Sequence, residues 1–190
     1  MIPCYVSGKG MYATDPTWLF KTTVIDILES LKLGYDTRYR YYQQQFPETD
    51  ARQLARMVCD PIEFYDKDWP DYLANKDPHK SEDEAIVDFV LIRDFQFQRE
   101  AEAAIYCYDE AGFGSGINTM RFVNAGKPIL GFYNPKIKDH GVNLSNLLQL
   151  RVAYPALITL LEYQSMPDIS DQTIQWLKYL SIHKKSHGSS

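Results

Sequence analysis

The chain has 190 residues, of which 45% are apolar and 24% charged, with a formal net charge of -5 at pH 7. That length and composition suit one globular domain, and no apolar run approaches the roughly 18 residues needed to span a membrane. An acidic balance gives no broad electrostatic reason to bind a nucleic acid polymer, whose affinity rests on basic side chains against phosphates. The three cysteines, Cys4, Cys59 and Cys107, are too far apart for a disulfide framework or a CxxC metal or redox site. Met1 to Val6 lack the basic and long apolar regions of a secretory signal, so a cytoplasmic protein is expected.

Ile2 to Ser7 reads as a short strand that runs into the turn Ser7-Gly8-Lys9-Gly10. Asp15-Pro16 supplies an N-cap followed by proline in the first helical turn, and Phe20, Val24, Ile27, Leu28 and Leu31 form an apolar stripe that ends at Gly34. Tyr35 to Tyr42 reads at period two as a second strand, with Tyr35, Thr37, Tyr39 and Tyr41 on one face and Asp36, Arg38 and Arg40 on the other. The same interleaving of basic and aromatic residues is what a base-stacking surface carries. Asp50 to Val58 is expected to be helical, and Pro61 to Lys80, rich in proline, aspartate and lysine, to be an irregular loop suited to a lid or specificity role.

Ser81-Glu82-Asp83-Glu84 is a capping box that opens a long helix to about Ala101. Ala103 to Tyr108 reads as a strand, Ile117 to Ala125 as a helix closed by Gly126, and Ile129 to Tyr133 as the next strand, together a right-handed parallel crossover. A strand near Ala156 to Tyr163 and a helix from Asp171 to Leu180 complete a doubly wound α/β sheet of five mainly parallel strands. Residues 1–182 form the domain, and 183–190 read as a loose tail. His183 and His187 stand four apart, but in a Gly-Ser terminus they read as solvated, and no other group has metal-ligand spacing, so no metal is expected.

Ligands of open parallel sheets bind beyond the carboxyl ends of the strands. Two such ends carry glycine: Ser7 to Gly10, and Asp109 to Gly116 with Gly112, Gly114 and Gly116 at every second position. The third glycine of a dinucleotide fingerprint would fall on Ile117, and no acid ends the strand at Phe132-Tyr133-Asn134, so no nicotinamide cofactor is expected. Backbone amides at the start of the following helix suit an anion, although a tight turn without a ligand reads equally well. Asp94 tips the balance, because it lies in the apolar stripe of Ile86, Val90, Phe97 and Ala101. A carboxylate there costs several kcal/mol unless it is paired, hydrogen-bonded or open to a cleft. The alternative is a structural Asp tied to backbone amides, Arg93 or Arg99.

The run from Asp94 to Pro135 carries a helix-borne aspartate, the strand Ala-Glu-Ala-Ala-Ile-Tyr-Cys-Tyr, a glycine loop with Gly-x-Gly, a helix, and the strand Ala-Gly-Lys-Pro-Ile-Leu. This order resembles the nucleoside 2-deoxyribosyltransferase family and its relatives, the 2'-deoxynucleoside 5'-phosphate N-hydrolases, and Tyr5 falls where that family keeps a tyrosine. The resemblance implies a flavodoxin-like, Rossmann-like fold that cleaves the N-glycosidic bond of deoxynucleosides or their monophosphates without a cofactor. It implies that Asp94 acts on base or sugar and that Tyr5 orients the nucleophile. Gly8, Gly112, Gly114, Ser115 and Gly116 would line the substrate, and the chain would assemble as a homo-oligomer. In the family pattern Gly-x-Gly-x-Glu-x-Gly the nucleophilic glutamate falls on Asn118 and the last glycine on Met120. An amide is a poor nucleophile and cannot exchange a proton as a carboxylate does. Gly112 stands where phosphate-using members tend to carry serine. An N-glycosidase or transferase is therefore one expectation, a catalytically silent nucleoside or nucleotide binder the second, and a flavodoxin-like signalling or assembly domain, supported by fold alone, the third.

Overall fold

The computed structural model describes residues 1–8, 15–59, 66–136 and 144–187. In chain order its elements are β1 (Ile2–Ser7), α1 (Asp15–Ser30), β2 (Gly34–Asp36), α2 (Thr37–Gln45), α3 (Ala51–Cys59), α4 (Trp69–Ala74) and α5 (Glu82–Glu100). There follow β3 (Ala103–Cys107), α6 (Phe113–Asn124), β4 (Ile129–Tyr133), α7 (Leu144–Ala153), β5 (Ile158–Glu162) and α8 (Met166–His187). The five strands form one sheet in the order β2-β1-β3-β4-β5, and every pair is parallel, with Tyr5 opposite Ala104 and Ser7 opposite Tyr106. This is the doubly wound, flavodoxin-like arrangement, and its strand order reverses between β1 and β3.

Alternate strand residues feed two cores. Cys4, Val6, Ile105, Cys107, Leu130 and Phe132 pack with residues of α1, α3 and α8 on one face. Tyr5, Ala104, Tyr106, Tyr108 and Ile129 pack with Phe97, Phe122 and Leu147 of α5, α6 and α7 on the other. Because both faces are covered, the central strands β3 and β4 are buried along their whole length, as parallel strands of such sheets are. The expected capping box is present: the Ser81 hydroxyl accepts from the Glu84 amide at 3.2 Å, and Glu84 accepts from the Ser81 amide at 2.8 Å. Gly126 closes α6 at a φ of +67°, a left-handed value that glycine adopts without strain.

The expected strand from Tyr35 to Tyr42 is not there. β2 stops at Asp36, whose carboxylate accepts the amides of Arg38 and Tyr39 at 2.9 Å each and so caps α2. The aromatic and basic residues therefore wind around a helix, with Tyr39 buried and Tyr41 bonded to Asp66 at 3.0 Å, and no flat base-stacking strand exists. Within the expected loop 61–80, α4 forms at Trp69–Ala74, with proline in its first turn; residues 60–65 lie outside the described residues. Helix α6 begins at Phe113 and not at Ile117, so Gly114 and Gly116 lie inside its first turn. Helix α7 was not expected, and α8 starts earlier and continues through His187, so 183–187 are helical where a loose tail was expected.

A Cβ on Gly131 would stand 2.5 Å from Cε2 of Tyr108 and 3.1 Å from Cδ1 of Leu160. Tyr108 has no easy way to yield, because its ring stacks on Tyr106 with centroids 5.3 Å apart and its hydroxyl lies 2.9 Å from Oγ1 of Thr119. Gly131→Ala is expected to lower stability by about 1–3 kcal/mol. The reading is a lower urea midpoint at unchanged slope; an unchanged midpoint would mean that Tyr108 repacks freely.

Candidate functional site

The strand order reverses between β1 and β3, the usual ligand position of such sheets, and side chains from β1, α2, α5 and α6 gather near these strands. Tyr5 of β1 points to the α5 face and is 2% exposed. Its hydroxyl donates to Oδ1 of Asp94 at 3.2 Å. The alternative, a pairing of Asp94 with Arg93 or Arg99, is not seen among the described residues: Arg93 bonds Asp66 at 3.0 Å and Asp68. Burial pushes the Asp94 carboxyl above its usual range, and Arg38, the Tyr5 hydrogen bond, Arg121 and Lys21 oppose the rise. Burial, reinforced by the Asp94 charge, pushes the Tyr5 phenol up as well, so it stays protonated as a donor near neutral pH. Desolvation thus favours the protonated form of Asp94 and the nearby cations favour the ionised one.

Arg38 covers this pair. Its guanidinium carbon lies 4.5 Å from the Tyr5 ring centre, and it is steered by Asp36, 3.8 Å away, and by the Val6 carbonyl. Below the pair, Tyr106 is fully buried and its hydroxyl makes no hydrogen bond. The Gln98 amide adjoins the Tyr5 hydroxyl closely enough to lower its pKa, although neither amide atom meets hydrogen-bond geometry. The pair Tyr5–Asp94 therefore stands over a small interior patch of unsatisfied polar atoms.

Asn118 lies on α6, half-buried, and its Oδ1 accepts from Nη1 of Arg121 at 2.8 Å. The Arg121 guanidinium is stacked 3.9 Å from the ring centre of Phe95, the residue after Asp94. Arg121 thus connects the two expected site residues: it bonds one and electrostatically favours ionisation of the other. The glycines divide into two kinds. Gly112, Gly114 and Gly116 are exposed, and a Cβ on any of them would meet nothing within 4 Å. Gly8 is buried against Thr17 and Cys107 and serves packing. Ser115, 8% exposed, turns inward, and its carbonyl accepts from Thr119 at 2.8 Å.

A recess of about 70 Å³ reaches Asp94 between α2, α3 and α5, lined by Arg38, Tyr42, Met57, Arg93 and Phe97 among others. A larger hollow of about 260 Å³ between α5 and α6 holds none of Tyr5, Asp94 and Asn118. Volume favours the second; chemistry favours the first, because it combines Asp94, an acid of raised pKa, with the guanidinium groups of Arg38 and Arg93. Of the two acids in the glycine loop, Asp109 accepts from the Asn134 amide at 2.6 Å and from the Tyr163 hydroxyl, and Glu110 accepts from Thr17 at 2.5 Å. Both are tied into the fold, and of the two acids that line the recess Asp66 is paired with Arg93 at 3.0 Å, which leaves Asp94 as the acid there without an ion-pair contact to Arg93.

Arg38, Arg121 and Lys21 escaped the sequence reading. Arg38 was read with Asp36 and Arg40 on one face of a strand, and only the cap at Asp36 could have put it on a helix. Lys21 is 2% exposed, one turn beyond Thr17, and nothing in its neighbourhood marks it as buried. Among the described residues, no group of three or more His, Cys, Asp or Glu is placed to hold a metal ion, and no helix is long and apolar enough to cross a membrane. No protein-family model matches this sequence, and no curated protein matches it either.

Proposed function

We propose that the site beside Tyr5, Asp94 and Asn118 binds a nucleoside or nucleotide and cleaves its N-glycosidic bond, as a deoxyribosyltransferase-type or N-hydrolase-type enzyme. The observation that carries this reading is the hydrogen bond from Tyr5 to Asp94. It orients a carboxyl that burial pushes above its usual range, a shift that favours the protonated form a general acid needs. As the bond from C1' to the base nitrogen breaks, protonated Asp94 delivers its proton to the leaving base. Water then adds to C1' and returns a proton to the Asp94 carboxylate. Neither metal nor cofactor enters the scheme. On composition we place the protein in the cytoplasm, and from the family resemblance we expect a homo-oligomer, which light scattering would test.

Asn118 favours a second reading, a binding protein of the same fold without turnover, because an amide cannot carry a glycosyl ester. Following base release from deoxynucleosides and their monophosphates separates the two: release supports the enzyme, and saturable binding without release supports the sensor. In an excess of a second free base, the native protein is expected to release base without exchanging it. Asn118→Glu is expected to add exchange, since Arg121 at 2.8 Å would hold the new carboxylate ionised and ready to attack. Exchange by the native protein at the rate of release would mean that a nucleophile exists elsewhere.

A further inference from the structure

The hollow of about 260 Å³ between α5 and α6 is lined by Phe95, Gln98, Arg99, Arg121, Phe122 and Lys127. These residues come from the end of α5, just before β3, and from the end of α6 and the turn before β4. The hollow therefore lies toward the amino ends of those strands, away from the carboxyl ends where such sheets take their usual ligands. Three of its lining residues are cations and, among the described residues, none is an acid.

Two of the cations are held in place. Nζ of Lys127 donates to the carbonyls of Gln98 and Arg99 at 2.9 Å each and lies 5.8 Å from the ring centre of Phe122. Arg121 is stacked on Phe95 and bonded to Asn118. Acids outside the hollow temper both charges, Glu102 that of Lys127 and Asp94 that of Arg121. Arg99 is exposed.

Gln98 is the unmet group in this setting. It is 6% exposed, and among the described residues neither its amide nitrogen nor its amide oxygen has a hydrogen-bond partner. Folded proteins seldom leave a buried amide unpaired at both atoms, because each has given up water without a replacement. Closing the end of α5 accounts for Lys127 by itself, but it does not account for Gln98 or for two arginines on the same hollow.

We propose that this hollow is a second ligand site, independent of the function proposed above, and that it takes a small organic anion. The ligand has a carboxylate for the guanidinium groups of Arg99 and Arg121, an apolar ring against Phe95 and Phe122, and a carboxamide-like group for Gln98. A guanidinium fork matches a carboxylate in shape as well as in charge. A carboxamide presents a donor and an acceptor side by side, as the Gln98 amide requires. The volume, just below the roughly 300 Å³ at which pockets for drug-sized ligands begin, suits a single substituted ring.

Titration of the full chain with 4-carbamoylbenzoate, benzoate, benzamide and inorganic phosphate, followed by ligand-observed NMR, tests the proposal. 4-Carbamoylbenzoate carries both polar groups and is expected to bind with a Kd of about 1 mM or tighter. Benzoate, which lacks the amide, and benzamide, which lacks the charge, are each expected to bind at least about tenfold more weakly. Arg99→Gln should weaken 4-carbamoylbenzoate at least about threefold and leave benzamide unchanged. Gln98→Leu should abolish its advantage over benzoate; should that variant not fold, Arg99→Gln and the native comparison still decide. Binding weaker than about 1 mM, equal binding of benzamide or of inorganic phosphate, or an unchanged affinity in Arg99→Gln overturns the site.

Discussion

Asp94→Asn is expected to lower base release by roughly a hundredfold to ten-thousandfold, the usual worth of a positioned general acid. The same substitution should make the protein more stable at neutral pH, and the pair of effects is diagnostic. Burial raises the Asp94 carboxyl above its ordinary value of 3.8, so the folded state favours the protonated form more than the unfolded chain does. The stability tied to that preference is fully present below the ordinary value and is lost as pH rises through the raised one. Asparagine does not ionise and escapes the loss. The variant should therefore unfold with the native protein in acid and above it at pH 7, as measured by calorimetry across that range. A variant less stable than the native protein at pH 7 would assign Asp94 to structure and not to chemistry.

Asp36→Ala should be the most damaging substitution for the fold itself. The carboxylate is fully buried, with Oδ2 accepting the Val6 amide at 2.8 Å and Oδ1 accepting the amides of Arg38 and Tyr39 at 2.9 Å. Alanine leaves these buried donors without a partner, and each such donor costs about 1–3 kcal/mol. Allowing for relaxation, a loss of about 3–5 kcal/mol is expected, a large part of the 5–15 kcal/mol that holds a typical domain together. In a chain of this size that is a fall in melting temperature on the order of 10 °C. A fall of less than about 1 kcal/mol would mean that water replaces the carboxylate, as a partly open site would allow. Ligand affinity should fall as well, because Arg38 reaches the Tyr5 ring only from the helix that Asp36 caps.

Asp36 also explains where the sequence was legible and where it was not. β1, β3, β4 and the capped start of α5 are written in short-range patterns: apolar runs bounded by turns, and a hydroxyl answering a glutamate three residues on. Those elements emerged close to expectation, and with them the sheet. In 35–42 two local signals compete, a period-two alternation and an aspartate followed by helix-compatible residues. The contact that decides between them is with Val6, 30 residues away. The candidate site divides in the same way. That Asp94 faces the core followed from its helical spacing, but its partner Tyr5 is 89 residues away, and no local pattern joins them. Nothing local marks Arg38, Lys21 and Arg121 as site residues, because burial of a long charged side chain is set by what folds over it.

The first turn of α6 has a further consequence for ligand capture. Gly112 caps it with no side chain, Gly114 and Gly116 lie within it, and Phe113 is 88% exposed. One turn on, Thr119 is fully buried and bonded to Ser115 and Tyr108. Glycine in a helix weakens it by roughly 0.5–1 kcal/mol relative to alanine, so this turn is intrinsically weaker than the one behind it. Asn118 lies between the glycine-bearing turn and the turn held by Thr119. A ligand that settles on the glycine amides must freeze that segment, so part of its intrinsic attraction is consumed as lost chain entropy, and a second ligand arriving at an already ordered turn binds more tightly than the first.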